Sequence, residues 1–153
     1  MTETVRFRDQ SITFANGSIG RDVLVATGNP LNYHQAIMTP GAVAAANVDA
    51  KVFMPPRASG RMAAVIIVPG SLGVAVSHLA HAETITNLGA VALVVDPFGA
   101  RGVTSTVANQ TQYSFAASAF DVLAALKVLV AMPEIDASRV GAQGHSRGGS
   151  AVL

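Results

Sequence analysis

The sequence predicts an α/β protein, a three-layer sandwich with helices on both faces of a mostly parallel sheet. Two observations predict it. Short apolar runs alternate with segments of helical period, in the order strand, helix, strand, helix, strand, over residues 63–143. Half of the 153 residues are hydrophobic and only 12% are charged, against about 25% in an ordinary domain. So little charge, with so much Ala and Val, suits strands covered on both faces. The length fits one domain, 1–153, large enough to bury about 68–70% of its unfolded surface.

Val5-Arg6-Phe7, Ile12-Thr13-Phe14 and Val23-Leu24-Val25 are β-like pieces punctuated by Asn16-Gly17 and Gly20. They read as antiparallel strands at the sheet's edge. In residues 28–47, Asn29-Pro30 and Pro40-Gly41 argue for loop, while Ala42 to Ala46 suits a helical turn. Asn47 to Met54 reads as a strand stopped by Pro55-Pro56. Ala63 to Val68 is a β-branched apolar run stopped by Pro69-Gly70. Residues 75–88 read as a helix, with Leu79, Ala82 and Ile85 at helical spacing and Gly89 as its stop. Ala90 to Val95 is a second apolar run, ending at Asp96-Pro97. Residues 114–131 carry the strongest helical pattern. Ala119, Val122, Leu123, Leu126, Leu129 and Val130 share one face, and Ser114, Ser118 and Asp121 another. Pro133 closes this helix, and a turn at Asp136–Arg139 leads into a third short strand, Val140–Gln143.

Composition excludes several functions. Ten basic and nine acidic residues leave a net charge of +1, which draws the chain to neither nucleic acid nor an anionic membrane. The absence of cysteine excludes disulfide scaffolds, zinc–thiolate sites and thiol nucleophiles. No signal-peptide core follows Met1, and the longest apolar run is broken by Asp121 and Lys127. The expectation is a soluble, cytoplasmic protein that needs no metal or cofactor.

The chemistry-bearing motif is Gly144-His145-Ser146-Arg147-Gly148. Its serine directly follows a predicted strand, and Gly148-Gly149-Ser150-Ala151 follows it. At a sharp strand-to-helix turn a serine points its hydroxyl out of the sheet edge, with the backbone under strain. The flanking glycines leave room where a Cβ would strike the neighbouring elements. The amide of Arg147 then stands where an oxyanion would develop, at a helix N-terminus. A plain Gly-Ser-Gly turn is the structural alternative. A second donor is expected from the loop Val68-Pro69-Gly70-Ser71-Leu72-Gly73, as the backbone N–H of Ser71. An ordinary βα loop is its alternative. That loop contains neither G-x-G-x-x-G nor Gly-Lys-Ser/Thr, so it lacks a phosphate-binding signature.

From about Val48 to Leu153 the chain resembles the N-terminal part of the dienelactone hydrolase-like branch of the α/β-hydrolase family. The matching residues are Val65 to Gly73, Val94-Val95-Asp96-Pro97-Phe98-Gly99-Ala100-Arg101-Gly102, Asp121, Asp136-Ala137-Ser138-Arg139-Val140, and Gly144 to Gly149. The resemblance implies a serine hydrolase acting on small-molecule carboxylic-ester or lactone-like bonds. Ser146 would be its nucleophile, and the amides of Ser71 and Arg147 its oxyanion hole. By the same resemblance Asp96 holds the loop after its strand. Arg101 is then a candidate contact for a substrate carboxylate, against a structural salt bridge. A non-catalytic relative that keeps the fold for binding or assembly is the other reading.

Three departures stand out. Dienelactone hydrolases proper use a cysteine nucleophile, and serine stands here. The common His-Gly of the oxyanion loop reads Pro69-Gly70, which removes one backbone donor. The triad order in this fold is Ser, then Asp or Glu, then His, and only seven residues follow Ser146. The earlier histidines, His34, His78, His81 and His145, fit no base position. The expectation is therefore a fragment that is poorly soluble and inactive alone. Its nucleophile strand would present an exposed apolar edge.

Overall fold

The structure is a computed structural model in which residues 5–153 are described. The expected strand at Val5-Arg6-Phe7 is instead a 3₁₀ turn over Phe7–Asp9. Ile12-Thr13-Phe14 contributes one isolated bridge, Thr13 to Ile19. The tight turn at Asn16-Gly17 brings those two residues together, with Gly17 at φ 89° and its N–H donating to Phe14 O at 2.9 Å. Val23-Leu24-Val25 lies inside a longer strand, β1 (Gly20–Asn29). A short exposed helix, α1 (Tyr33–Met38), follows, capped by Asn32, whose side chain accepts from the Gln35 N–H. The helical turn allowed at Ala42–Ala46 is displaced. A 3₁₀ turn occupies Pro40–Ala42, and β2 (Ala44–Phe53) starts two residues later.

The later elements sit close to their predicted places: β3 (Met62–Val68), α2 (Val76–Asn87), β4 (Val91–Asp96) and α3 (Phe115–Val130). Strand β5 (Ile135–Gly144) is longer than expected and takes in the turn at Asp136–Arg139. The register against β3 slips between Met62↔Ile135 and Ala64↔Val140, so the turn survives as a bulge. There Asp136 Oδ1 accepts from the Ser138 N–H at 3.0 Å. A last short helix, α4 (Arg147–Val152), follows the serine turn.

The strands lie in the order β1-β2-β4-β3-β5. The sheet is mixed rather than mostly parallel. Strand β2 runs antiparallel to both β1 and β4, while β3 is parallel to β4 and β5. The N-terminal β1–β2 hairpin is the cause: a hairpin enters a sheet antiparallel, and only the crossover units are parallel.

Alternation within the central strands builds two cores. Ala64, Ile66, Val68, Val91, Leu93 and Val95 pack on one face with Ala125 and Leu129 of α3. Ile67, Ala92 and Val94 pack on the other with Ala82 of α2 and with Phe7, Phe14 and Phe53. Phe14 and Phe53 stack with centroids 4.3 Å apart. Helices α2 and α3 thus cover opposite faces, and the chain after β3 and the chain after β5 leave the sheet in opposite directions. In open α/β sheets, the crevice at such a reversal, beyond the strands' carboxyl ends, is where ligands bind. Strand β5 pairs only with β3 among the described strands. Its edge differs from the apolar one expected, because its exposed residues are Ala137, Ser138, Arg139, Gly141, Ala142 and Gln143, small or polar.

Candidate active site

Ser146 sits at the reversal between β3 and β5, at φ 51° and ψ −116°. Among the described residues it is the only non-glycine with positive φ. Such a conformation costs about 1–3 kcal/mol and persists only where the surroundings enforce it. They do so by backbone contact. A Cβ on Gly144 would lie 2.1 Å from Gly148 O, and one on Gly148 would lie 2.3 Å from Val68 O. The strand, the turn and α4 are therefore packed main chain against main chain. Ser146 caps α4, its carbonyl accepting from the Ser150 N–H at 3.2 Å, and its side chain is exposed.

The loop after β3 meets this turn. The His145 N–H donates to Val68 O at 3.2 Å, and a Cβ on Gly70 would lie 3.3 Å from Ser146 Cβ. Ser71, next in the chain, is thus brought beside Ser146. Its amide makes no hydrogen bond among the described residues. The amide of Arg147, as the first of α4, has no intrahelical partner. The two expected oxyanion donors and the expected nucleophile share one locus.

The Arg147 side chain points away from that locus. It is buried, with its guanidinium between the rings of Tyr113 and Phe115, 4.3 Å from each centroid. It donates to Gln110 O at 2.9 Å, Gln110 Oε1 at 3.1 Å and Tyr113 O at 2.8 Å. Burial pushes the Tyr113 hydroxyl's pKa up, against the opposing charge of Arg147.

Arg101 is equally committed. It donates to both oxygens of Asp121, at 2.6 and 2.9 Å, and to Asn29 Oδ1 and Pro97 O. Side-chain exposures of 6% for Arg101 and 1% for Asp121 mark a buried ion pair. Burial pushes the Asp121 carboxyl up, and Arg101 opposes the shift. Asp96 holds the loop after its strand, accepting from the N–H groups of Phe98 and Gly99 at 3.0 and 3.2 Å. Burial raises its pKa, and these two bonds pull it back.

No histidine among the described residues hydrogen-bonds Ser146. His78 Nδ1 accepts from the Ala75 N–H at 2.9 Å and so closes the first turn of α2. Burial, then the neighbouring His145 and His81, hold His78 below the usual histidine range. His145 presents its ring edge-on to His78, centroids 6.0 Å apart. His81 touches Gln143, and His34 lies on exposed α1. A cavity of about 920 Å³ runs past Tyr33, Asn47, Arg101, Gln110 and Phe115, at the carboxyl ends of β1 and β4. Sequence reasoning gave no role to Gln110, Tyr113 or Phe115. They occupy an aperiodic loop and helix start, and only the fold brings them to Arg147.

A serine turn at a sheet reversal, with a glycine loop against it, is the architecture of the α/β-hydrolase fold. No family model and no curated protein sequence matches the chain, but solved structures do. One is m3DLH, 22% identical with a TM-score of 0.62 over 88% of this chain and 52% of that one. A second is a dienelactone hydrolase-like promiscuous phosphotriesterase from metagenomic libraries, 24% identical with a TM-score of 0.59 over 88% and 53%. A third is a hyperthermophilic esterase from the archaeon Pyrobaculum calidifontis, 21% identical with a TM-score of 0.52 over 86% and 36%. The chain shares the fold of these dienelactone hydrolase-like and esterase proteins and spans about half the length of the first two. No helix among the described residues is long and apolar enough to cross a membrane.

Proposed function

We propose that the protein is a serine hydrolase of carboxylic-ester or lactone-like bonds in small molecules, acting through an acyl-enzyme intermediate. The observation that carries this reading is the strained Ser146 turn, with the Gly70–Ser71 backbone against it. Ser146 Oγ attacks the substrate carbonyl, and a base takes the hydroxyl proton. Charge on the carbonyl oxygen is met by the N–H groups of Ser71 and Arg147. Such donors act in place, without reorganising, and each is worth about 10²–10³ in rate. Collapse of the tetrahedral intermediate expels the alcohol, which takes the proton from the base. Water then releases the acid by the reverse sequence.

The base in this reading is a histidine oriented by a carboxylate, and none of the chain's four histidines bonds to Ser146 in the structure. Residues 5–153 on their own are accordingly expected to leave esters uncleaved. That same observation favours the second reading, a non-catalytic protein that keeps the fold for binding or assembly. A fluorophosphonate probe on the intact gene product decides between them. The hydrolase reading expects covalent labelling that Ser146→Ala abolishes, with turnover of p-nitrophenyl esters. An unlabelled, folded protein that leaves esters intact would establish the second reading.

A further inference from the structure

Ser71 and Arg147 are 76 positions apart in the chain, yet an oxyanion hole needs their amides at a fixed separation. The donors must stand about 2.7–3.1 Å from one oxygen. Loop 69–75 meets the serine turn through Pro69, whose carbonyl lies against Gly148, and through Gly70, beside Ser146 Cβ, and Ser71 lies one residue beyond them. A third residue joins the two arms. The Gln110 Nε2 amide donates to Ser71 Oγ at 2.9 Å. Its Oε1 and its main-chain carbonyl accept from Arg147 Nη1 at 3.1 and 2.9 Å.

We propose that Gln110 is a positioning residue that sets the spacing of the two oxyanion amides by bridging the side chains of the residues that carry them. The proposal rests on the hydrolase reading and deepens it. An amide side chain suits the task, having a donor end and an acceptor end on one rigid plane. Both anchors are themselves fixed. The guanidinium of Arg147 is held between two rings and by Tyr113 O, so it cannot follow a drifting loop. The Ser71 carbonyl accepts from the Thr106 N–H at 2.8 Å and from Ser105 Oγ at 3.1 Å. Residues 105–113 therefore form a strap across the Ser71 loop, with Gln110 as the rung to α4. A strap serving stability alone could be anchored anywhere, whereas this one ends on the two residues whose amides flank Ser146.

The test is Gln110→Met in the intact protein, a change that keeps length and removes donor and acceptor. A displacement of about 1 Å at a reacting centre costs on the order of 10²-fold. The expected result is kcat lower by about ten- to a hundredfold on a p-nitrophenyl ester, with KM within about twofold. Ser71→Ala removes the same bond from its other end, with less disturbance if Gln110→Met folds poorly. It should lower kcat in the same way, and the double variant should be no slower than Gln110→Met, as expected of one shared interaction. Single effects that multiply, or either variant at wild-type kcat, would overturn the proposal. A wild-type protein that neither labels nor turns over would instead remove the hydrolase reading, and this proposal with it.

Discussion

The serine turn makes a sharp demand on two adjacent glycines, and the demand has opposite sign at each. At Gly148 an added methyl would meet Val68 O at 2.3 Å and Pro69 O at 2.6 Å. Both are main-chain atoms of the central strand β3 and its loop, so no side chain can turn aside. Restoring an ordinary separation of about 3.2 Å or more requires α4 to move by roughly 1 Å, and overpacking of this kind costs about 1–3 kcal/mol or more. Contact with backbone places Gly148→Ala at the upper end. A shift of that size at Ser146, the proposed nucleophile, should also slow its fluorophosphonate labelling about a hundredfold. At Gly149 the nearest atom to an added methyl is 3.6 Å away, ordinary contact, and the residue lies within α4. Gly149→Ala should therefore stabilise by up to about 1 kcal/mol through helix propensity. Urea unfolding of both variants, paired with fluorophosphonate labelling rates, checks the contrast. Gly148→Ala with wild-type stability and labelling would refute the claim that main-chain contact holds the turn.

Other positions give equally definite expectations. Arg101→Met strips Asp121 of its buried partner and should cost about 3–5 kcal/mol in urea unfolding. It should leave the relative KM of carboxylate-bearing and neutral esters unchanged; a selective rise for the carboxylate ester would return Arg101 to the substrate. Ser146→Gly should be more stable than Ser146→Ala by about 1 kcal/mol or more, since only glycine accepts the turn's dihedrals without strain. Equal denaturation midpoints for the two would show the turn to be relaxed. Asp136 is held down to about 2 by Ser138 and Arg139. Its folded value lies below its ordinary 3.8, so its stabilising contribution is present above pH 3.8 and fades as pH falls towards 2. A titration of its carboxyl by NMR should find the midpoint well below 3.8, and one at or above it would contradict the assigned bonds.

Much of this was legible in the sequence where the governing physics is local. The runs at Ala63–Val68 and Ala90–Val95 and the periodic segment 114–131 placed β3, β4 and α3 almost to the residue, because burial on both faces leaves few polar positions to blur them. The motif around Ser146 was legible for a similar reason: the glycines two positions to either side, Gly144 and Gly148, permit the main-chain contacts that hold the turn. The N-terminal strands were misread where tertiary contact decides. Phe7 and Phe14 look like strand residues, but they bury as plugs beside Phe53, and the chain between them makes one isolated bridge, Thr13 to Ile19, rather than a ladder. The antiparallel edge was legible at Val23–Val25, which lies in edge strand β1, but nothing in residues 44–53 states that β2 also runs antiparallel to its inner neighbour β4.

Arg101 and Arg147 show the limit most clearly. The sequence reading offers the side chain of Arg101 to substrate but only the main-chain N–H of Arg147, and both guanidinium groups are spent inside the protein, one on Asp121 and one on Gln110 and the 110–114 main chain. What distinguishes a binding arginine from a structural one is whether a buried acceptor waits for it. Asp121 is separated from Arg101 by 20 positions, and Gln110 from Arg147 by 37. A guanidinium is held in the interior only by such partners; Asp121 is brought into reach by the crossing of α3 over the sheet, and Gln110 by the strap that leads from the Ser71 loop to α3. The placements of the two arginines therefore follow from topology, while the turn at Ser146 follows from its immediate neighbours.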